Sequence, residues 1–250
     1  MKKLKKPLIF SLAILPVSVI AVIFTCLYQF DLYPAEVIEE AVAVLGSRAA
    51  VIALSTVQSV GMIFACSFFG YILAEKTGLL RPFVIEKKPL TACLVLSVIG
   101  GIAFALDPWL FGKSIPEILS AVDAGMTPAA VIASILYGGI IEEIMLRLFM
   151  LSLISFLLGR IFCRGRSALP DWVFITANII AAVLFAAGHL PATVMTFGSI
   201  TPLLLIRCFL YNGGFGLLFG YLYRRYGIQY AMISHALLHI ISKGIWAIFL

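Results

Sequence analysis

Long apolar runs separated by short polar segments follow one another along the whole chain. Each run is continuously apolar, whereas a membrane β-barrel strand alternates every second residue. A run of about 20 apolar residues is long enough to cross a bilayer as a helix. The pattern therefore predicts an all-α polytopic membrane bundle with about seven spans, near residues 7–30, 49–74, 89–106, 127–158, 172–190, 203–223 and 229–250.

Composition agrees with a membrane protein and argues against a soluble domain. Of the 250 residues, 62% are hydrophobic and 12% are charged, about half the roughly 25% charged share of soluble domains. The mean hydropathy is +1.11. The five cysteines lie in or beside apolar runs with no CxxC pair, so we interpret them as small hydrophobic residues without metal or disulfide roles.

Basic residues concentrate on one side of the predicted bundle. With the N-terminus in the cytoplasm, the opposite loops hold only two of them, Arg48 and Lys113, and several acids. This is the bias that the positive-inside rule describes, so the net charge of +6 does not indicate nucleic acid as a partner. The cytoplasmic segments hold 13 of the 18 basic residues: Lys2, Lys3, Lys5, Lys6, Lys76, Arg81, Lys87, Lys88, Arg160, Arg164, Arg166, Arg224 and Arg225.

Three charged residues interrupt the predicted fourth span, in the segment GGIIEEIMLRLFM at residues 138–150. Ionisable groups inside a membrane are costly and indicate a functional site by default. Glu143 and Arg147 are four residues apart and can pair on one helix face. Glu142 points about 100° away from that pair, which leaves its carboxylate free for another partner. The alternative is a structural ion pair with one additional acid.

All three histidines lie in the last three predicted spans. Phe185 and His189 are four residues apart, as are His235 and His239, so each pair shares a helix face. A single histidine in a helix is more often a core residue than a ligand, and Phe185 can pack against His189 or fix its ring. The first three spans carry almost no ionisable groups. We therefore divide the chain into accessory spans at 1–126 and a catalytic core at 127–250.

Glycines precede the two glutamates and recur in the sixth predicted span. Small residues let membrane helices pack backbone to backbone, so we expect close approach, or ordinary helix packing, at Gly138, Gly139, Gly216 and Gly220. Counted along the helices from their cytoplasmic ends, Glu142 and His189 lie deeper than His235 and His239. These residues can meet only if the fourth and fifth helices overhang the bilayer on that side. The expectation is a pocket at mid-depth, reached from the cytoplasm, with a helix end at Leu190-Pro191.

These side chains suit the attack of water on a carbonyl group. A carboxylate in a low-dielectric pocket can act as a general base, a neighbouring imidazole can share the proton, and imidazole N–H groups can stabilise an oxyanion. No serine or cysteine lies within residues 185–189 or 235–239, so a covalent nucleophile is not indicated. Histidines and a glutamate can also hold zinc, although the HExxH motif is absent.

Three short motifs resemble those of a known family. EEIMLR (142–147), FAAGH (185–189) and HALLH (235–239) are similar, in order, to the EExxxR, FxxxH and HxxxN/D motifs of the CPBP family. These proteins are CAAX-prenyl-protease-like and bacteriocin-processing intramembrane endopeptidases, also called the Abi family. The similarity extends to FGLLFGYLYRRYG (215–227) and covers about residues 127–245.

The resemblance implies a glutamate-dependent intramembrane protease on a helical bundle. It assigns water activation to Glu142 and His189, the oxyanion site to His235 and His239, and a supporting role to Glu143 and Arg147. The family usually has Asn or Asp where this chain has His239, and imidazole can also donate a hydrogen bond. Members are often labelled metalloproteases, but nothing in this sequence requires a metal.

The predicted function is thus an intramembrane endopeptidase for a peptide or lipid-modified, membrane-associated protein, with the lipid bilayer as its other partner. A bacterial plasma membrane fits the short chain and the basic N-terminus. One alternative is a non-catalytic, bacteriocin-immunity type of binding protein on the same fold. The other is a proton- or metal-coupled transporter, against which the chain shows no inverted repeat.

The charge bias predicts how the chain inserts. In a bacterial inner membrane, alkaline phosphatase should be active when fused after Leu250 and inactive when fused after Lys88, because only the exported enzyme folds to its active form. Green fluorescent protein fused at the same two sites serves as the control and should give the reverse pattern. Phosphatase activity at Lys88 would contradict a cytoplasmic N-terminus.

Overall fold

The computed structural model describes residues 2–166 and 168–250, and every regular element among them is a helix. The predicted all-α fold is confirmed. Three segments, Ser134–Glu142, Ile144–Leu151 and Phe209–Gly213, are π-helical. The α-helices are Lys2–Leu32, Ala35–Leu45, Arg48–Thr77, Lys87–Ala105, Asp107–Phe111, Glu117–Gly125, Pro128–Ala133, Ser152–Phe162, Asp171–Gly188, Leu190–Phe197, Pro202–Cys208, Gly214–Tyr226 and Ile228–Phe249.

Within the residues that the structure describes, seven helical stretches are long and apolar enough to cross a membrane, as the hydrophobic pattern predicts. Many large apolar side chains point outward from the bundle, which is the surface that lipid contacts, so the chain is an integral membrane protein. The short helices Ala35–Leu45 and Glu117–Gly125 between spans were not predicted. The spans, numbered first to seventh below, are Leu4–Leu32, Arg48–Thr77, Lys87–Phe111, Pro128–Phe162, Asp171–Phe197, Pro202–Tyr226 and Ile228–Phe249.

The fifth span is broken at His189. Its first helix, Asp171–Gly188, ends where Leu190-Pro191 was expected to end it. A second helix, Leu190–Phe197, then begins with proline in its first turn, where the missing N–H would have no partner in any case. The break confirms the expected helix end, whereas the second helix was not predicted. His189 therefore lies at a junction between two helices.

The fourth span is π-helical on both sides of Glu143. Ser134–Glu142 precedes it and Ile144–Leu151 follows it. Hydrogen bonds from i to i+5 widen a helix, and such segments are rare and often occur at functional sites. Hydrophobic periodicity did not predict this winding. It places the two glutamates at the junction between two wide turns.

Glycines allow close contacts between spans, as the sequence predicts. A Cβ at Gly139 would lie 2.7 Å from the Cβ of Ala236, so the fourth and seventh spans nearly touch there. A Cβ at Gly216 would lie 3.1 Å from the Cβ of Ala182, between the sixth and fifth spans. The seventh span also packs along the third, and the first along the second. The accessory and core spans are therefore packed together.

We expect Gly139→Ala to destabilise the bundle. The added methyl group would overlap Ala236, and overpacking of this kind costs about 1–3 kcal/mol, so the thermal unfolding temperature in detergent should fall. Gly61→Ala is the matched control, because a Cβ at Gly61 meets nothing within 4 Å. Equal unfolding temperatures for the two variants would contradict the close approach of the fourth and seventh spans.

Candidate active site

Glu142 lies between two histidines from other spans. Its Oε1 is 3.8 Å from His189 Nε2, and its Oε2 is 4.0 Å from His235 Nε2. The Glu142 side chain is 17% exposed, so it faces a cavity and is neither lipid-facing nor sealed in the core. The fourth, fifth and seventh spans thus bring together the residues that the sequence singled out.

The ring of His189 is held in one tautomer by the backbone of its own helix. Its Nδ1 lies 2.9 Å from the carbonyl oxygen of Phe185. Because a carbonyl oxygen only accepts, Nδ1 carries the proton, and the neutral ring keeps its lone pair on Nε2, towards Glu142. The Phe185 ring meets His189 edge-on at 4.7 Å between centroids. Phe185 therefore both packs against His189 and orients its ring.

Glu143 is fully buried and contacts two partners. Its Oε2 lies 3.3 Å from Arg147 Nε, so the pair expected from the four-residue spacing is present. Its Oε1 accepts a hydrogen bond from His235 Nδ1 at 2.8 Å. This second contact joins the fourth span to the seventh and fixes the proton of His235 on Nδ1. Spacing within one helix could not predict it.

Arg147 links the same carboxylate to the fifth and sixth spans. The side chain is 2% exposed. Its Nη2 donates to the carbonyl oxygen of Gly216 at 3.3 Å, and its guanidinium lies 4.7 Å from the ring centre of Phe185 and 5.5 Å from that of Phe219. Cation–π contacts of this kind are stronger when water is excluded. Arg147 thus joins the fourth, fifth and sixth spans beside the glutamates.

His239 lies one helical turn beyond His235, in the wall of the same cavity. The two rings are stacked 5.1 Å apart at 27°, and Phe104 meets His239 edge-on at 5.8 Å. A Cβ at Gly138 would lie 3.2 Å from His239 Nε2, so this glycine keeps the space in front of the ring open. Among the described residues, no carboxylate lies within ion-pair distance of His239.

Phe219 is a contributor that the sequence did not single out. Its ring stacks on His235 at 4.4 Å and 20°, and it also contacts the guanidinium of Arg147. It belongs to the stretch at 215–227, which carried the family resemblance without an assigned role. Asn212 also lines the cavity. The sequence could have indicated it, because it is a polar residue within an apolar span.

The catalytic candidates line a cavity of about 560 Å³ at one end of the bundle. The first span, which the sequence assigned to the scaffold, contributes Tyr28, Gln29 and Leu32 from its C-terminal end, and Tyr33 follows. None of the lining residues comes from the basic loops around residues 76–88, 160–166 and 224–225. The cavity therefore lies towards the side opposite the N-terminus.

The expected cytoplasmic access is therefore inconsistent with a cytoplasmic N-terminus. The glutamates and histidines meet as expected, because the fourth span continues past Glu142 to Phe162 while the seventh begins at Ile228, shortly before His235. The expectation did not take into account the far ends of the first and third spans. Those ends contribute to the wall of the cavity, through residues such as Tyr28 and Phe104.

A metal centre does not fit the donors as they are placed. Within residues 2–166 and 168–250, no group of three or more His, Cys, Asp or Glu side chains could hold a metal ion. Glu143 and His235 Nδ1, which are close enough to share a ligand, bond to each other. No step below depends on a metal.

One family model matches the chain. It is described as type II CAAX prenyl endopeptidase Rce1-like, and it matches residues 124–241. That range contains all three motifs, so the predicted resemblance to the CAAX protease family is confirmed. No curated protein and no solved structure matches the chain.

Breaking the buried ion pair should be costly. Arg147→Met would leave the Glu143 carboxylate buried beside His235 alone, and removing one partner of a buried pair costs about 3–5 kcal/mol of unfolding free energy. Glu143→Gln combined with Arg147→Met should recover much of that loss, because no uncompensated charge remains.

Thermal unfolding in detergent measures both effects. Arg224→Met is the control, since its partner Asp171 is 85% exposed and such pairs contribute about 0–1 kcal/mol. Equal destabilisation by Arg147→Met and Arg224→Met would contradict a structural role for the buried pair.

Proposed function

Residues 124–241 of this membrane protein form a CAAX-protease-family domain, and from that premise we propose that it is an intramembrane endopeptidase that hydrolyses a peptide bond with activated water. The convergence of Glu142, His189 and His235 carries the proposal. A buried structural ion pair needs only Glu143 and Arg147. Glu142, which faces the cavity between two imidazoles, is not needed for that ion pair.

Glu142 and His189 are proposed to activate the water. The 3.8 Å between Glu142 Oε1 and His189 Nε2 is too long for a direct hydrogen bond, and a single water can bond to both atoms. Both atoms are acceptors, so each can receive one of the two water protons. As the water oxygen attacks the carbonyl carbon, one proton passes to this pair and then to the leaving nitrogen when the C–N bond breaks.

His235 is proposed to stabilise the oxyanion. Its Nδ1–H already donates to Glu143, so Nε2 becomes a donor only when the ring is protonated. A donor fixed in position before the reaction lowers the barrier without reorganisation. His239, stacked on His235, would occupy the place of the family's Asn or Asp and donate a second hydrogen bond.

The cavity favours a membrane-associated substrate. Aromatic and aliphatic side chains such as Phe104, Leu184 and Phe215 dominate its lining, and an apolar or lipid-modified segment would bury its surface there. Because the cavity lies opposite the basic loops, the substrate would enter from the extracytoplasmic side when the N-terminus is cytoplasmic. An exported or membrane-anchored peptide fits that route.

Glu142→Gln tests catalysis with the smallest change of shape. In proteoliposomes containing quenched fluorescent peptides with an apolar anchor, we expect cleavage to fall by about 10²–10⁴-fold, the usual contribution of a general base. Glu75→Gln, an exposed glutamate at the other end of the bundle, should cleave at the wild-type rate. Comparing host peptidomes with and without Glu142→Gln then identifies natural substrates as peptides that accumulate uncut.

Glu142→Gln also distinguishes a protease from the two alternative functions, a binding protein and a transporter. A binding protein of the immunity type would keep its phenotype with Glu142→Gln, and a transporter would lose ion flux while no peptide is cut. Cleavage that survives both Glu142→Gln and His189→Ala would contradict the proposed mechanism.

Metal removal should leave the reaction unaffected. Because no proposed step uses a metal, cleavage after dialysis against a chelator should equal cleavage before it. Inhibition that added zinc reverses would favour the zinc alternative.

A further inference from the structure

A second cavity of about 270 Å³ adjoins the one that contains Glu142. The two cavities share part of their walls, to which the first span and the third to seventh spans contribute. Polar side chains recur in this shared wall, among them Tyr28, His189, Asn212 and His239. A peptide held at Glu142 can therefore extend from the first cavity into the second along these side chains.

An extended peptide in such a cavity needs hydrogen-bond partners from the protein. Its main-chain N–H and C=O groups have no partners within an extended strand. Inside a membrane little water is available to replace them, and each unsatisfied group is costly. A side-chain amide is well suited to this task, because it carries a carbonyl acceptor and an NH₂ donor side by side.

Asn212 supplies the amide group in the shared wall. It belongs to the π-helical segment Phe209–Gly213 of the sixth span. Within residues 2–166 and 168–250, its side chain makes one hydrogen bond, from Nδ2 to the Sγ atom of Cys208 at 3.5 Å, and a sulfur atom is a weak acceptor. The Oδ1 atom and the second N–H of Nδ2 are therefore available to a molecule in the cavity.

Contacts with the fifth span place Asn212 close to the reacting groups. Cys208, four residues earlier, donates from Sγ to the carbonyl oxygen of Ala186 at 3.2 Å. A Cβ at Gly213 would lie 3.8 Å from the Cβ of the same alanine. His189 follows three residues later, about 4.5 Å along a helix. An extended peptide covers about 3.4 Å per residue, so Asn212 lies within one or two substrate residues of the bond that is cut.

We propose that Asn212 binds the main chain of the substrate, and this inference rests on the proposed protease function. Its Oδ1 accepts a hydrogen bond from the N–H of one substrate residue, and its Nδ2 donates to the C=O of the same residue. Both groups point to the same side of an extended chain, so one amide can reach them together. Asn212 is thus a positioning residue, which holds the neighbouring peptide bond against Glu142 and His189.

Peptides in which an ester replaces one amide at a time test the proposal in proteoliposomes. Each ester removes a single N–H with little change of shape. For an ester one or two residues from the cut bond, kcat/KM of the wild-type protein should fall about 10–100-fold, the effect of leaving a buried acceptor unpaired. Esters further away should have a smaller effect, and product masses should show the same cut bond throughout.

Asn212→Leu should remove the sensitivity at that position. Leucine has a similar size but neither donates nor accepts, so the all-amide peptide and the ester peptide should be cleaved at equal rates, both below the wild-type rate for the all-amide peptide. Asn178→Leu is the matched control. The Asn178 amide donates to the carbonyl oxygen of Leu217 at 3.0 Å and is not part of either cavity wall, so this variant should keep the wild-type ester sensitivity.

Two outcomes would overturn the proposal: a wild-type protein that is equally sensitive to an ester at every position, or an Asn212→Leu variant that keeps the wild-type sensitivity. If Asn212→Leu does not fold, Asn212→Ala gives the same comparison, because it also removes the amide. Glu142→Gln keeps the two proposals distinct, because it should slow the cleavage of amide and ester peptides alike whether or not Asn212 binds the main chain.

Discussion

A carboxylate buried among four helices is the constraint on which this structure depends. Glu143 has no exposed surface, and a charge in that position persists only with close partners. Arg147 on the same helix supplies one and His235 on the seventh span supplies the other. Arg147 in turn contacts Gly216, Phe185 and Phe219. Satisfying this one charge therefore fixes the relative positions of the fourth to seventh spans.

In that arrangement the two adjacent glutamates have different roles. With Glu143 engaged, the adjacent Glu142 is free to face the cavity, and the backbone of Phe185 turns the lone pair of His189 towards it. The fifth span breaks at His189 and π-helical segments flank Glu143, so these site residues lie at junctions between helical segments. All of these residues lie within the range 124–241, which the family model matches.

The sequence predicted what local spacing and hydrophobicity determine. Seven spans followed from apolar length, and the Glu143–Arg147 pair followed from a four-residue separation. Contacts between helices, such as Glu143 with His235 and Asp107 with Arg207, depend on three-dimensional packing and were not predicted. Depth counted along single helices did not predict that the cavity lies towards the end of the bundle opposite the N-terminus. The role of the first span, through Tyr28 and Gln29, was missed since those residues form no motif.

The proposed mechanism depends on one hydrolytic water held by Glu142 and His189, beside His235. An experimental density map that resolves ordered waters tests it most directly. The account predicts a single water within hydrogen-bond distance of both the Glu142 carboxylate and His189 Nε2, with Glu143 still bonded to His235. A map in which these side chains point to lipid, or in which no water contacts both residues, would contradict it.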